Sequence, residues 1–206
     1  MTDEQIRVLI DKVQAGDTDA FEPLVSAYEQ VLYNLCYKML GDREDAQDAV
    51  QETFIKIFRS LNDYRGDSRF STWIYRIAAN TCNDFLRRKN RVQVVSFYEQ
   101  KEEGEKTELQ LPDEGNTPEE LLERKLTRES VIQGLQTLPE DQRTILLLRE
   151  IQGLSYEEIA EILKLDGGTV RSRIHRARKK LCRWLLENGN IPDLFSSKQQ
   201  KGGAEI

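Results

Sequence analysis

The sequence predicts an all-α chain: two small helical domains joined by a flexible acidic linker. Three observations carry this. Apolar residues recur at three- and four-residue intervals through most of the chain, the spacing of helices with one buried face. Charged residues make up 32% of the 206 positions and apolar residues 38%, with only 12 Gly and 5 Pro, a composition suited to narrow buried stripes. The helical period lapses across residues 92–116, where acids gather with Gly104, Pro112 and Gly115. These breaks divide the chain into a first domain over 1–91, a linker over 92–116, a second domain over 117–187 and a flexible tail over 188–206.

The first helix spans Thr2 to Ala15. Thr2 and Gln5 form a capping-box pair, Ile6, Leu9, Ile10 and Val13 make its stripe, and Gly16 stops it. Asp17 or Thr18 caps a second helix with Pro23 in its first turn, where a missing N–H costs little. Phe21, Leu24, Val25, Tyr28, Val31, Leu32, Leu35 and Met39 recur along it until Gly41. The third helix runs from Asp42 to Leu61 over Ala46, Ala49, Val50, Thr53, Phe54, Ile57 and Phe58. A polar loop leads to a fourth, starting near Ser71, with Trp73, Ile74, Ile77, Ala78 and Phe85 and a basic run over 87–91. In the second domain Thr117 caps a helix with Pro118 at its first position, and Leu121, Leu122, Leu126, Val131, Leu135 and Leu138 continue it. Pro139 breaks it and begins another with Ile145, Leu146, Leu148 and Ile151, which Gly153 ends. Ser155 and Glu158 form a full capping box for a short helix facing inward through Tyr156, Ile159, Ala160 and Leu163; Leu154 and Ile159 add a hydrophobic staple. Residues 164–168 turn, Asp166 caps the last helix, and Val170, Ile174, Ala177 and Leu181 face the core.

Composition also excludes function classes. No apolar run approaches the ~18 residues that span a membrane, and the N-terminus lacks the basic and apolar regions of a secretory signal. Cys36, Cys82 and Cys182 are isolated, which argues for reduced thiols in a cytoplasm, for small core residues, and against a zinc site. Asp42, Glu44, Asp45, Asp48 and Glu52 crowd the third helix, but no His accompanies them and their spacing distributes them around it. They read as a solvated acidic face or a docking surface for a basic partner. No metal, cofactor or catalytic residue is expected.

The strongest chemical signal is the last helix. From Thr169 to Arg183 there are seven Lys or Arg and no acid, in a chain of net charge −6. With the short helix before it, this reads as a helix-turn-helix whose second helix enters a DNA groove. Arg171 and Arg176 suit guanine edges, Ser172 and His175 shorter contacts, and Arg173, Arg178, Lys179 and Lys180 phosphates; His175 serves equally as a bystander. The fourth helix offers another chemistry. Tyr64, Phe70, Trp73 and Tyr75 lie among Arg65, Arg69 and Arg76, rings and cations such as stack and hold single strands, although Phe70 and Trp73 serve equally well as core.

Five segments in order, Asp45–Lys56, Phe70–Asn80, Leu138–Arg143, Leu154–Ala160 and Gly168–Arg178, give the chain over residues 5–187 a resemblance to the extracytoplasmic-function sigma factors, the group-four branch of the bacterial sigma-70 family. The resemblance implies a non-enzymatic, cytoplasmic subunit that directs RNA polymerase to promoters, monomeric when free, with a sigma-2-like bundle and a sigma-4-like helix-turn-helix. It implies docking on the β′ clamp helices by Asp45, Asp48, Gln51, Glu52 and Lys56, and a further contact of the second domain with the β flap. It assigns capture and melting of the −10 element to Tyr64, Arg65, Phe70, Trp73, Arg76, Asn80, Asp84, Arg87 and Arg88. It assigns the −35 duplex to Arg149, Thr169, Arg171, Ser172, Arg173, His175, Arg176, Arg178 and Lys179. An anti-sigma partner is implied, and the linker acids are expected to run towards the RNA exit path. An alternative is a helix-turn-helix repressor or activator with a helical sensor domain, which predicts a dimer on a palindrome.

Overall fold

The computed structural model describes the backbone of residues 1–95 and 118–188, with side chains over 1–89 and 125–188. Eight α-helices are seen among the described residues: α1 (Asp3–Gln14), α2 (Glu22–Leu40), α3 (Arg43–Ser60), α4 (Phe70–Val95), α5 (Pro118–Gln136), α6 (Glu140–Glu150), α7 (Tyr156–Leu163) and α8 (Gly167–Asn188). Single 3₁₀ turns precede α2 and follow α3. The helix α4 continues through Val95, into the stretch read as linker. The rest of that stretch, the Thr117 cap and the tail from 189 lie outside the described residues.

Local chemistry sets the boundaries. Thr2 accepts from the Gln5 N–H and Gln5 accepts from the Thr2 N–H, closing the capping box of α1. Asp17 caps the 3₁₀ turn rather than α2, which begins with Pro23 near its N-terminus and has no side-chain cap. Asp42 caps α3 and Asp166 caps α8 through the Thr169 N–H at 2.9 Å. Gly41 ends α2 at φ 78°, where a β-carbon would also meet the Gln136 side chain at 2.8 Å.

In the first half α2, α3 and α4 pack as a bundle, with α1 laid across it. Leu32, Leu35, Cys36, Ala46, Ala49, Ile74, Ala78 and Cys82 are fully buried there. Hydrogen bonding to Cys36 and burial push the Cys82 thiol well up, so it behaves as a small apolar residue. Two hydroxyls in this core are satisfied within their own helices: Thr53 donates to the Ala49 carbonyl and Thr81 to that of Ile77. In the second half α8 lies against α5, α6 and α7 through Val170, Ile174 and Ala177. A β-carbon on Gly134 would fall 2.8 Å from Leu181 and Trp184, so glycine permits the approach of α5 to α8.

Several side chains depart from the sequence expectation. Phe58 and Leu126 are exposed, and in α7 Ile162 is buried while Tyr156, Ala160 and Leu163 are only partly so. A helical stripe identifies a face, but the neighbouring element determines where on that face burial centres.

The two halves meet. Helices α5 and α6 contact α2, and α6 and α7 contact α4, so the buried side chains of both halves form one cluster. Polar contacts cross this junction: Gln136 donates to the Lys38 carbonyl at 3.1 Å and Thr72 to Glu158 at 3.0 Å. Arg143 is 6% exposed, and all five of its N–H donors are used. They reach the carbonyls of Leu135, Gln136 and Leu138, the Gln136 amide oxygen, and the Met39 carbonyl at the end of α2. Arg143→Met is expected to cost about 3 kcal/mol, because buried carbonyls lose a charged donor. Arg143→Lys should recover less than half of this, since an ammonium lacks the planar fork. Urea unfolding with an unchanged slope checks both.

Candidate nucleic-acid interface

The helix-turn-helix is built by α7 and α8. Ser155 accepts from the Glu158 N–H at 3.1 Å while Glu158 accepts from the Ser155 N–H at 2.8 Å. Lys164, at φ 53°, ends α7 in the left-handed region. Thr169 donates to Asp166 through both its backbone N–H and its hydroxyl, and these bonds hold the Asp166 carboxyl below its usual range. The buried stripe of α8 leaves Arg171, Ser172, His175, Arg176 and Lys179 exposed on the other side. Ser172 donates to the Thr169 carbonyl, and Arg176 donates to Ser172 at 3.3–3.4 Å, so the two lie side by side.

Several other cations expected at the duplex also have structural partners. Arg173 pairs with Asp141 at 3.1 Å and Arg178 with Glu150, tying α8 to both ends of α6. Arg149 donates to the Leu154 carbonyl at 2.6 Å, and its guanidinium lies 4.9 Å from the Tyr156 ring; that of Arg171 lies 5.8 Å from the same ring. Tyr156 thus gathers cations from α6 and α8, a role its sequence position did not indicate.

The second region surrounds the loop before α4. Tyr64 packs edge-on to Phe70 at 5.5 Å and tilted against Trp73 at 5.2 Å, and its hydroxyl donates to the Ser68 carbonyl at 2.7 Å. Phe70 and Trp73 are only 6% and 8% exposed. They form the floor beneath the loop, and Tyr64, half-buried, is the ring nearest solvent. Burial raises the Tyr64 phenol pKa, so it stays neutral and able to donate. Arg65, Asn80, Arg87 and Arg88 are exposed, and Arg76 and Asp84 partly so.

Some of the residues expected to dock polymerase pair with residues expected to hold DNA. Asp45 pairs with Lys89 at 2.6 Å. Glu52 pairs with Lys56 at 2.8 Å and with Arg88 at 3.2 Å. Lys56 also reaches Asp84 at 3.7 Å and donates to Thr81, while Arg87 lies 3.9 Å from Asp84. Asp48 and Gln51 are exposed beside these pairs. The hydrogen bond from Lys56, and then that from Arg88, hold Glu52 below the usual carboxylate range against the effect of burial. The resemblance assigned these charges to separate sites; the packing of α4 on α3 brings them together, as with Asp45 and Lys89, 44 residues apart. Sequence reasoning missed Ile55 and Phe58, 50% and 41% exposed, which with Phe21, Phe54 and Arg59 line a shallow apolar depression on α3. Among the described residues no group of three His, Cys, Asp or Glu is placed to hold a metal, and no helix is long and apolar enough to cross a membrane.

Comparisons with known proteins bear on both regions. The Sigma-70 region 2 model matches residues 24–92, and the Sigma-70, region 4 model matches 128–181. The chain is 42% identical to the RNA polymerase sigma-H factor of Pseudomonas aeruginosa over 90% of its length and 96% of the relative's. It is 41% identical to the ECF RNA polymerase sigma-E factor of Haemophilus influenzae over 85% of its length and 92% of the relative's. Among solved structures, CnrH in complex with the cytosolic domain of CnrY matches at a TM-score of 0.62 and 26% identity, over 88% of this chain and 97% of that one.

The Glu158 carboxyl is held below its usual range first by the Ser155 N–H, with Ser155 and Thr72 side chains assisting. Its folded pKa lies below the unfolded value, about 4.3. The stabilisation is therefore complete above that value and lost as pH falls through the folded one. Glu158→Gln should cost about 1 kcal/mol at pH 7, and the gap from the parent should narrow by pH 3. Thermal unfolding at the two pH values measures this.

Proposed function

The chain belongs to the sigma-70 family, in its extracytoplasmic-function branch, and from this premise we propose a division of labour between its two halves. The protein is a promoter-specificity subunit: it directs core RNA polymerase to particular promoters and opens the −10 element to begin transcription.

In the proposed division the first half docks on the β′ clamp helices through Asp45, Asp48, Gln51, Glu52 and Lys56. The loop over 64–70 and the outer side of α4 take the separated −10 strand. Tyr64, over its Phe70–Trp73 floor, and Arg65 meet unstacked bases; Arg76, Asn80, Arg87 and Arg88 follow the strand, with Asp84 orienting Lys56 and Arg87. The second half grips the −35 duplex by α8 and contacts the β flap. Arg171 and Arg176 read base edges, Ser172 and His175 lie between them, and Thr169 and Lys179 meet phosphates at either end, with Arg149, Arg173 and Arg178 on the flanks. Polymerase performs the chemistry, in the cytoplasm. An anti-sigma protein that covers both halves completes the proposed partner set.

The observation that carries this reading is the partition of α8. Its apolar residues are buried against the preceding helices while Arg171, Ser172, His175 and Arg176 share a clear outer surface. Run-off transcription with purified core enzyme on a promoter library tests it, and transcription no more selective than that of core alone would overturn it. For Arg176→Ala, discrimination at one upstream base pair should fall by about 1–3 kcal/mol with the other positions unaffected. A uniform loss across sequences would make Arg176 a phosphate contact instead.

A further inference from the structure

The N-terminal helix α1 precedes the family match, which begins at residue 24, yet it is built firmly into the first half. Ile6, Ile10 and Val13 are buried beneath it. At its far end the Gln14 amide donates to two carbonyls some fifty residues away, Leu61 at 2.9 Å and Tyr64 at 3.1 Å. These two bonds pin the start of the loop over 64–70 to α1.

Between α1 and that loop lies an open cleft of about 620 Å³. The helix contributes one wall, with Arg7, Asp11 and Gln14 among its residues; the loop contributes the other, with Tyr64, Arg65 and Asp67. The volume falls within the range of small-molecule sites, roughly 300–1,000 Å³. Both walls carry the donors and acceptors that the edge of a base requires: guanidinium N–H groups for a carbonyl or ring nitrogen, and carboxylates for an exocyclic amine. Arg7 is exposed and close enough to the Tyr64 phenol to influence its ionisation.

We propose that α1 forms the outer wall of the cleft that receives one unpaired −10 base, with Arg7 contacting that nucleotide and Gln14 positioning the loop that closes on it. This rests on the assignment of the loop to the −10 strand. It extends the site to residues before the Sigma-70 region 2 match, so that base preference depends on a segment which that match does not cover.

The test uses holoenzyme assembled from the full chain and core polymerase, with single-stranded −10 oligonucleotides carrying an abasic site at each position in turn. The unmodified chain should lose roughly tenfold in affinity at one position, as expected for a captured, stacked base. Arg7→Ala should weaken the intact oligonucleotide about fivefold, and should add nothing on the strand abasic at that position. Gln14→Leu should raise amide exchange over residues 61–70, leave the global unfolding midpoint in place, and reduce the same abasic-sensitive part of the affinity. If the unmodified chain shows a sensitive position but Arg7→Ala weakens every strand equally, or none, the role of α1 is overturned while base capture stands. If no position is sensitive in the unmodified chain, base capture itself fails, and the role of α1 with it.

Discussion

One buried guanidinium, that of Arg143, ties the α5–α6 corner of the second half to the end of α2 in the first. Arg143 closes the corner between α5 and α6 with four hydrogen bonds and gives the fifth to the end of α2. The last carbonyls of a helix have no partner of their own and carry its negative end, so a planar cation is well matched to that position. Burial tends to lower the Arg143 pKa, but a guanidinium keeps its proton in proteins, so the charge is retained and must be fully bonded. Through α6 the direction of that corner also fixes where α7 and α8 stand. The presentation of the exposed side of α8 thus depends on a residue that sequence reading treated only as part of a motif.

Charge is arranged on two scales. The chain is acidic as a whole, and this opposes casual association with nucleic acid. Locally, acids stand against several of the cations proposed to meet DNA: Glu52 against Arg88, Asp141 against Arg173 and Glu150 against Arg178. Such exposed pairs are individually weak, about 0–1 kcal/mol, and are screened by salt. They hold the long side chains near useful positions without preventing their exchange for a phosphate. Within α8, Arg171 and Arg176, the arginines proposed to read bases, bond to Ser172 or lie over Tyr156 rather than pairing with a carboxylate.

The sequence carried the helices well because their ends are local chemistry. Thr2 with Gln5, Asp42, Ser155 with Glu158 and Asp166 each fill a vacant bonding site within three residues. Contacts between distant segments were not legible. Nothing near Gln14 indicates that its amide meets the Leu61 and Tyr64 carbonyls, and nothing near Glu158 points to Thr72. The aromatic cluster was visible as composition, but its depth was not: Trp73 and Phe70 lie under Tyr64 because α1, the loop and α4 converge there. Phe58, counted with the core by its spacing, is 41% exposed while Ile57 beside it is buried; its ring packs edge-on against Phe21 at 5.1 Å on the open side of α3.

The hydrogen bonds from Gln136 to Lys38 and from Thr72 to Glu158 have a geometric consequence for promoter engagement. Elements named for positions −35 and −10 differ by about 25 positions, roughly 85 Å of duplex at about 3.4 Å per step. A compact fold of this length has a radius of gyration of only about 17 Å. Under the proposed division of the two elements between the halves, bridging both requires the seam to part, exchanging these bonds for water or for surfaces that polymerase supplies, so the reach along DNA follows how readily it opens.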